Sequence, residues 1–410
     1  MAFTNLRALF SLSFALLFVL PGLAYKPLSD ATLQSLPSPG DGFDIHKGEL
    51  LAPILRPRVA GTPGSTAVLN HFVDFFKNSL PDWTIEFQNS TSKTPATGDK
   101  DVPFINFIAS RDPPWSKKGD VGRLNLVAHY DSKYEPEGFI GATDSAAPCA
   151  IIMHAVRSID AALTKKWADM QADGSADLME DHTGIQVIFL DGEEAFHTWT
   201  KDDSLYGARS LAENWEHEAN TAMSTYKTPL SAISLFFLLD LLGAKNPNMP
   251  SYFKTTHWAY QDLAVIEDRL RKLDQFKTVH QFHEDAKRSG ATDKNKAQGP
   301  QAQWFSDRAK NPSSTFRSYI QDDHLPFMAR GVEILHAIPY PFPDVWHDIT
   351  DDAEHLDIPT VEDWAMIITA FAAEWMELEG HFETHGISND NEAISSGAAQ
   401  KRDDWDKPEL

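Results

Sequence analysis

The sequence predicts an α/β protein with one domain, in which a mixed, mostly parallel β-sheet lies between two layers of helices. Apolar, strand-like runs alternate along the chain with amphipathic stretches, and this alternation is typical of a sheet covered by helices. The later runs are apolar at nearly every position, as expected for strands that are buried on both faces. A chain of 410 residues, 42% of them hydrophobic, can also bury a large core. We therefore expect a single-domain, three-layer sandwich.

Each predicted element corresponds to one such run or stretch. The six strands are expected at Thr84–Phe87, Phe104–Ala109, Leu124–Ala128, Ile185–Leu190, Ile233–Leu239 and Val332–Ile338. The five helices are expected at Ser65–Leu80, Ser145–Leu163, Ser204–His217, Gln261–Phe276 and Thr360–Phe382. The segments Lys165–Thr183 and His283–Gln303 are polar, and both are predicted to be loops.

The two ends of the chain are predicted to lie outside the folded domain, which is expected to span residues 25–385. Arg7 is the only charge in the first 24 residues, and it precedes an apolar run from Ala8 to Leu20. This pattern, with small residues just before position 25, predicts a cleaved signal peptide over residues 1–24. Residues 386–410 are rich in Ser, Asn and Asp and lack periodicity, which predicts a disordered tail.

A signal peptide implies a protein that is secreted or held in the lumen of the secretory pathway, and no later segment is expected to anchor it in a membrane. The sequon at Asn89 is an N-glycosylation acceptor that could carry a glycan in that compartment. The last four residues, Lys407–Leu410, resemble an ER-retrieval signal, although proline stands where an acidic residue is usual. Secretion is the preferred interpretation.

Composition excludes several kinds of partner. The net charge of -23 argues against nucleic acid and against anionic membranes. Cys149 is the only cysteine, so no intramolecular disulfide can form, and we expect its side chain to be a small buried hydrophobic group. The protein is expected to be a monomer.

Acidic and imidazole side chains cluster after several of the predicted strands. The set comprises His129, Asp144, Glu193, Glu194, Asp240 and His347. A pair of glutamates directly after a buried strand is unfavourable unless the carboxylates are paired or bind a metal. Ligands of open α/β sheets bind beyond the carboxyl ends of the strands, and imidazole with carboxylates but no cysteine fits zinc. The set therefore predicts a zinc site; the alternative is a group of unrelated caps and surface charges.

The strings around these residues resemble a known family. HYDSK, GATDSAAPC, DGEEAFHTW, SLYGARSLA, LLDLLGA, QDDHLPF and FPDVWH are similar to motifs of the animal-type glutaminyl-peptide cyclotransferases, or glutaminyl cyclases, and occur in the same order. The likeness runs from about Ser65 to Phe382. It implies a zinc aminopeptidase-like fold. Zinc aminopeptidases, the wider superfamily, hold two zinc ions with a similar set of histidine, aspartate and glutamate ligands. The likeness also implies conversion of N-terminal glutamine of peptides and proteins to pyroglutamate with release of ammonia, and leaves N-terminal glutamate open as a second substrate.

The resemblance assigns roles position by position. It implies one zinc ion per chain, held by Asp144, Glu194 and His347. Glu193 would carry the proton, and Asp240 and Asp322 would form a carboxylate pair beside it that shares a proton. The pocket would be walled by Trp199, Phe342 and Trp346, with Gln321 on its rim. One metal is enough for ring closure, because this reaction needs no water nucleophile.

Several assignments stay open at this point. His129 could be a ligand of a second metal, the remnant of such a ligand, or a residue that orders Asp144. His324 could lie behind the catalytic groups or be satisfied by a backbone carbonyl. Asp131 and Asp191 are expected to form local hydrogen bonds. Animal relatives tend to have a disulfide between the position of Ala128 and that of Cys149, which this chain cannot form.

Two rival functions remain. A two-zinc aminopeptidase of the same fold would remove N-terminal residues; the strings GATDS and FPDVWH favour the cyclase, while the retention of His129 and Asp240 leaves the aminopeptidase open. A catalytically inactive peptide-binding domain is the non-enzymatic alternative, and the intact Glu193 argues against it.

Overall fold

The computed structural model describes residues 27–177, 182–288, 303–311, 316 and 320–383. Six strands in these ranges form one sheet in the order β1-β2-β4-β3-β5-β6. They are β1 Thr84–Lys93, β2 Asp101–Arg111, β3 Val121–His129, β4 His182–Leu190, β5 Ile233–Leu239 and β6 Ile334–Ala337. The pairs β3/β4, β3/β5 and β5/β6 are parallel, and β1 and β2 add antiparallel strands at one edge. The predicted mixed sheet is confirmed.

Eight α-helices are described in these ranges. They are α1 Asp30–Ser35, α2 Pro63–Ser79, α3 Ala147–Asp173, α4 Tyr206–His217, α5 His257–Lys272, α6 Lys277–Arg288, α7 His324–Met328 and α8 Ile358–Trp375. Buried side chains of α2, α3, α5 and α8 share one apolar core with alternate residues of the central strands. The intervening strand residues form a second core with α4 and α7. Helices thus cover both faces, as the three-layer prediction requires.

Some predicted boundaries are wrong, for identifiable reasons. The predicted loop Lys165–Thr183 begins inside α3, which continues to Asp173 because Trp167 extends its buried stripe. The predicted helix Gln261–Phe276 is broken at Asp274, which has a φ of 59°. A new helix, α6, starts at Lys277 because Asp363 of α8 accepts the backbone N–H groups of Lys277 and Thr278 at 2.6 and 3.0 Å.

Other predictions fall partly or wholly outside the described residues. The signal peptide, the tail and Lys407–Leu410 lie outside them. Within the predicted loop His283–Gln303, α6 continues to Arg288, and most of the remainder is also outside. Asn89, expected just after the first strand, lies within β1, because this edge strand extends to Lys93. It pairs with Ile105 of β2, and its side chain is exposed.

The helical segment Ala142–Asp173, which includes α3, is long and apolar enough to cross a membrane by composition alone. However, 78% of its apolar window is buried inside the protein. Such burial is typical of the core helix of a globular domain, and α3 packs closely against α8.

The sheet brings the polar segments of the sequence together at one edge. His129 is the last residue of β3, Asp191 follows β4, and Asp240 follows β5. These three strands are parallel neighbours, so their carboxyl ends share an edge. The ladder continues just past the strands, because Tyr130 donates its N–H to the carbonyl of Leu190 at 2.8 Å. The loops that follow the strands therefore start from fixed positions.

Candidate metal centre and active site

Three of the predicted ligands form one cluster at this edge. The Nε2 atom of His347 lies 3.6 Å from Oδ2 of Asp144 and 3.8 Å from Oε2 of Glu194. One ligand atom from each residue lies within 4.8 Å of the others. The two carboxylates are buried, whereas the His347 side chain is 30% exposed. The cluster is therefore open on the imidazole side.

The residues of this cluster fit zinc. Bond lengths of zinc to nitrogen and oxygen place two ligand atoms of a tetrahedral site about 3.3–3.5 Å apart, close to the separations of His347 from the two carboxylates. Burial lowers the pKa of His347 to about 4, so its imidazole is neutral and able to bind a metal. Oε1 of Glu194 is buried and has no hydrogen-bond partner among the described residues. A cation between the three side chains would compensate that buried oxygen.

The paired glutamates are held through their backbone by Asp131. Its Oδ1 accepts the N–H of Glu193 at 3.0 Å, and its Oδ2 accepts the N–H of Glu194 at 3.1 Å. These bonds span 62 and 63 residues, so the expectation of a local role for Asp131 is wrong. The same holds for Asp191, which accepts the N–H of Ile105. Sequence reasoning missed this function because the partner of a buried carboxylate is set by the fold.

The side chains of the two glutamates differ. Glu194 lies 3.3 Å from Nζ of Lys133, a contact that sequence reasoning did not predict although HYDSK contains this lysine. The carboxylate of Glu193 has no hydrogen-bond or ion-pair partner in the part of the chain that the structure describes, and the residue is only 7% exposed. Burial raises the pKa of Glu193 well above its ordinary value. A buried carboxyl group whose protonated form is favoured in this way is suited to exchanging a proton with a bound molecule.

Asp240 and Asp322 lie in each other's electrostatic field. Burial, reinforced by the charge of Asp322, raises the pKa of Asp240 to about 6. Burial opposes ionisation of Asp322 too, but a 2.7 Å hydrogen bond with His336 prevails and keeps its pKa below the ordinary value. Oδ1 of Asp240 accepts hydrogen bonds from the Ser145 hydroxyl and, at 2.8 Å, from the backbone N–H of Leu241. Asp240 is therefore the member of the pair that takes up a proton more readily, and Asp322 the member that stays ionised; the sharing of one proton between them stays a prediction.

His129 lies beneath the cluster and is fully buried. Its Nε2 forms a 2.9 Å hydrogen bond with Oδ1 of Asp144, and its Nδ1 lies 3.4 Å from Oδ1 of Asp131. Burial alone would lower the pKa of His129, but its three carboxylate neighbours, Asp131, Asp144 and Asp240, outweigh burial and raise it. A contact of 2.9 Å is a hydrogen bond and is shorter than the distance between two zinc ligands.

His336 is a second buried histidine, and sequence reasoning missed it because it lies inside a predicted apolar strand. Its ring lies 4.9 Å from that of His324, centroid to centroid. His324 Nδ1 is buried, and no backbone carbonyl of the described residues accepts a hydrogen bond from this nitrogen. Burial and the nearby His336 lower the pKa of His324 to about 3. These two histidines and Asp322 could in principle hold a metal, but the 2.7 Å His336–Asp322 contact is a hydrogen bond.

The four predicted pocket residues lie in two pairs. Nε1 of Trp199 donates to Oε1 of Gln321 at 2.8 Å, and both side chains line a surface cleft of about 720 Å³. The Trp346 ring stacks on the imidazole of His347 at 4.0 Å between centroids, and the Phe342 ring packs against Trp346 at 4.8 Å. Trp346 is 41% exposed. An exposed tryptophan beside a candidate metal ligand is a surface to which a ligand can bind.

Cys149 is buried and unbonded to any other cysteine, as expected. Its Sγ donates to the carbonyl of His129 at 3.2 Å, and burial raises the pKa of the thiol to about 12. The thiol is therefore unreactive, and it supports the end of β3 without a disulfide.

The class of protein follows from comparison with known families. The model of peptidase family M28 matches residues 114–372, which is more than half of the chain and includes all three members of the ligand cluster. The chain therefore belongs to peptidase family M28.

The most informative relatives define its place in that family. The glutaminyl-peptide cyclotransferase of Drosophila melanogaster is 34% identical over 358 residues, covering 87% of this chain and 88% of the relative. That of Bos taurus is 35% identical over 339 residues, covering 80% and 81%. The crystal structure of Macrostomum lignano glutaminyl cyclase is 29% identical with a TM-score of 0.67, and the match covers 88% of this chain and 98% of that one. Within the family, the chain belongs with the glutaminyl-peptide cyclotransferases.

The backbone role of Asp131 is testable by Asp131→Asn. The amide replaces one acceptor oxygen with a donor that faces a backbone N–H, and this should lower the free energy of unfolding by about 1–3 kcal/mol. Denaturant unfolding of the metal-free protein measures it. Asp202→Asn is the control, because that side chain is 79% exposed and the change should stay within about 0.5 kcal/mol. Equal stability of both variants would contradict the assignment.

Proposed function

We propose that this protein converts N-terminal glutamine of peptides and proteins to pyroglutamate and releases ammonia. The observation that carries the proposal is the buried carboxylate of Glu193, which lacks a partner in the described residues and lies next to a three-ligand cluster that fits zinc. Membership of the glutaminyl-peptide cyclotransferases, established above, supports it. N-terminal glutamate is a second candidate substrate.

The reaction joins two groups of the same residue. The α-amine attacks the side-chain amide carbon, a C–N bond closes the five-membered lactam, and the old C–N bond breaks to release ammonia. Zinc held by Asp144, Glu194 and His347 supplies a Lewis acid for the amide oxygen when it is bound. Glu193 accepts the proton of the attacking amine and returns it to the leaving nitrogen. Because nucleophile and electrophile are already linked, the pocket needs only to hold the compact conformer.

The neighbouring carboxylates support this proton transfer. Asp240, with a pKa of about 6, can hold a proton near neutral pH, and His336 keeps Asp322 ionised beside it. The pocket residues Trp199, Gln321, Phe342 and Trp346 are proposed to enclose the glutamine side chain. The cleft beside Trp199 offers room for the residues that follow the N-terminal glutamine in a peptide.

We propose one zinc per chain. The rival is a two-zinc aminopeptidase, and the observation that favours it is a second group of candidate ligands, His129, Asp144 and Asp240. The 2.9 Å contact between His129 and Asp144 favours a hydrogen bond that orders the zinc ligand.

Metal content separates the two candidates. Purified protein dialysed against zinc-free buffer should retain about one zinc per chain, because among the described residues only the cluster of Asp144, Glu194 and His347 has metal-like spacing. Elemental analysis by mass spectrometry measures the ratio. Two tightly held zinc ions, together with release of amino acids from amino-acid amides, would favour the aminopeptidase.

The proton role of Glu193 predicts the effect of Glu193→Gln. The amide cannot accept a proton, so kcat on a glutamine-initiated peptide should fall by about 10²- to 10⁴-fold while the zinc content stays unchanged. Mass spectrometry follows the loss of ammonia from the peptide. Glu333→Gln, a change at an exposed glutamate just before β6 and away from the proposed substrate cleft, serves as control and should retain wild-type kcat. Wild-type kcat in Glu193→Gln, or zinc-loaded wild type no faster than spontaneous cyclisation, would overturn the proposal.

We further propose that the protein works in the secretory pathway and that Asn89 carries a glycan there. The supporting observations are the signal-like residues 1–24 and the exposure of Asn89 on the edge strand β1. A glycan on an edge strand would also block pairing with another chain.

Expression in a eukaryotic secretory host tests this. The wild type should be secreted and should lose mass after treatment with an amidase that removes N-glycans. The mass of Asn89→Gln should be the same before and after this treatment. Thr91→Ala destroys the same sequon and should behave like Asn89→Gln. The absence of any loss of mass from the wild type on amidase treatment would contradict glycosylation at Asn89.

A further inference from the structure

We propose that Asp351 is a positioning residue that fixes the loop of His347 to the loop of Asp144 and thereby sets how tightly the centre holds its metal. The inference rests on the proposed zinc site. Asp351 is not itself a member of the ligand cluster.

The first half of the connection runs from His347 to Asp351. His347 has a φ of 59°, a conformation that is unfavourable for a residue with a side chain and that persists only where the surrounding loop enforces it. Tight turns flank it: Asp348 donates its N–H to the carbonyl of Val345 at 2.9 Å, and Asp351 donates to the carbonyl of Asp348 at 2.9 Å. The position of Asp351 is therefore coupled to that of His347.

The second half runs from Asp351 to Asp144. Oδ1 of Asp351 accepts the N–H of Thr143 at 2.8 Å, and its backbone carbonyl accepts the N–H of Ala142 at 3.0 Å. Asp144 is the next residue along the chain. These two hydrogen bonds, both formed by Asp351, fix the position and the direction of the backbone that leads into Asp144, the proposed metal ligand.

Arg58 holds the same loop from its carbonyl side. The fully buried guanidinium donates to the carbonyls of Ile140, of Gly141 at 2.9 Å, and of Asp144 at 3.2 Å. Arg58 does not reach the His347 loop in the contacts of the described residues. Among those residues, Asp351 supplies the hydrogen bonds that join the two ligand loops directly.

A role in stability alone explains Asp351 poorly. Its carboxylate is fully buried, forms no ion pair with a described residue, and has one oxygen, Oδ2, with no hydrogen-bond partner among them. Burial, with the charge of Asp144, raises the pKa of Asp351 to about 7. A carboxyl group buried in this way opposes folding unless it is compensated. What the residue contributes is the connection between two metal-ligand loops.

The test compares the zinc affinity of three variants of the full chain. Asp351→Ala removes the side-chain acceptor, and outer-shell losses of this kind weaken metal binding by about 10- to 100-fold. Asp351→Asn keeps an oxygen that can accept the Thr143 N–H, so its affinity should stay close to wild type. Asp357→Ala is the matched control, because Asp357 is also a buried aspartate that accepts backbone and hydroxyl groups, at the start of α8. It should lose stability but not zinc affinity.

Zinc dissociation is measured by competition with a chromogenic chelator, and thermal unfolding with and without zinc checks the folding of each variant. If Asp351→Ala does not fold, Asp351→Leu retains the side-chain volume without the acceptor and replaces it. Excess zinc should restore much of the activity of Asp351→Ala, but not that of Glu193→Gln.

Each outcome is decisive. Wild-type zinc affinity in Asp351→Ala, equal weakening in Asp357→Ala, or weakening in Asp351→Asn as large as in Asp351→Ala would each overturn the positioning role. Failure of the wild type to bind zinc would instead refute the proposed metal site, so the two failures are distinguishable.

Discussion

Burial of negative charge at one edge of the sheet is the constraint on which the rest of the structure depends. The buried carboxylates that meet there include Asp131, Asp144, Asp191, Glu193, Glu194, Asp240, Asp322, Asp323 and Asp351. Each would oppose folding on its own, and different partners compensate most of them. Backbone N–H groups compensate Asp131, imidazoles compensate Asp144 and Asp322, and a lysine compensates Glu194. The carboxylates of Glu193 and of the neighbouring Asp323 have no such partner among the described residues, and Glu193, which directly precedes the candidate ligand Glu194, is the one that we propose as the proton carrier.

The scaffold explains how so much charge can be collected in one place. Parallel neighbouring strands end at a common edge, and the helices on both faces exclude water from the sheet. The loops then determine the chemistry. A hydrolytic member of such a fold must activate water, whereas ring closure of a terminal glutamine requires only polarisation, a proton carrier and a compact pocket. In our proposal of a single zinc ion, the 2.9 Å hydrogen bond between His129 and Asp144 is the feature that distinguishes this site from a two-zinc site on the same fold.

Much of the fold could be predicted from the periodicity of apolar residues, and each error of that prediction has a physical cause. Strands and helices were expected close to their observed places because burial on two faces leaves a clear apolar pattern. The errors occurred where a contact from elsewhere decides the outcome. Asp363 starts α6 from the neighbouring helix, and buried Trp167 prolongs α3 through a polar sequence. The extension of β1 through Asn89 follows from pairing with β2, which a short polar run does not reveal.

The sequence by itself determined which acidic and imidazole side chains come after the strands, and the resemblance of its motifs to those of the glutaminyl cyclases selected Asp144, Glu194 and His347 as the expected ligands and Glu193 as the expected proton carrier. Tertiary structure alone decided how those groups are held. His336 within an apolar strand, Asp131 beneath the glutamates and Asp351 between two loops have no local sequence signal, because their partners lie 14, 62 and 208 residues away. Side chains beyond the end of a strand take their direction from such distant contacts. The distances that distinguish a metal ligand from a hydrogen-bond partner therefore exist only in the folded chain.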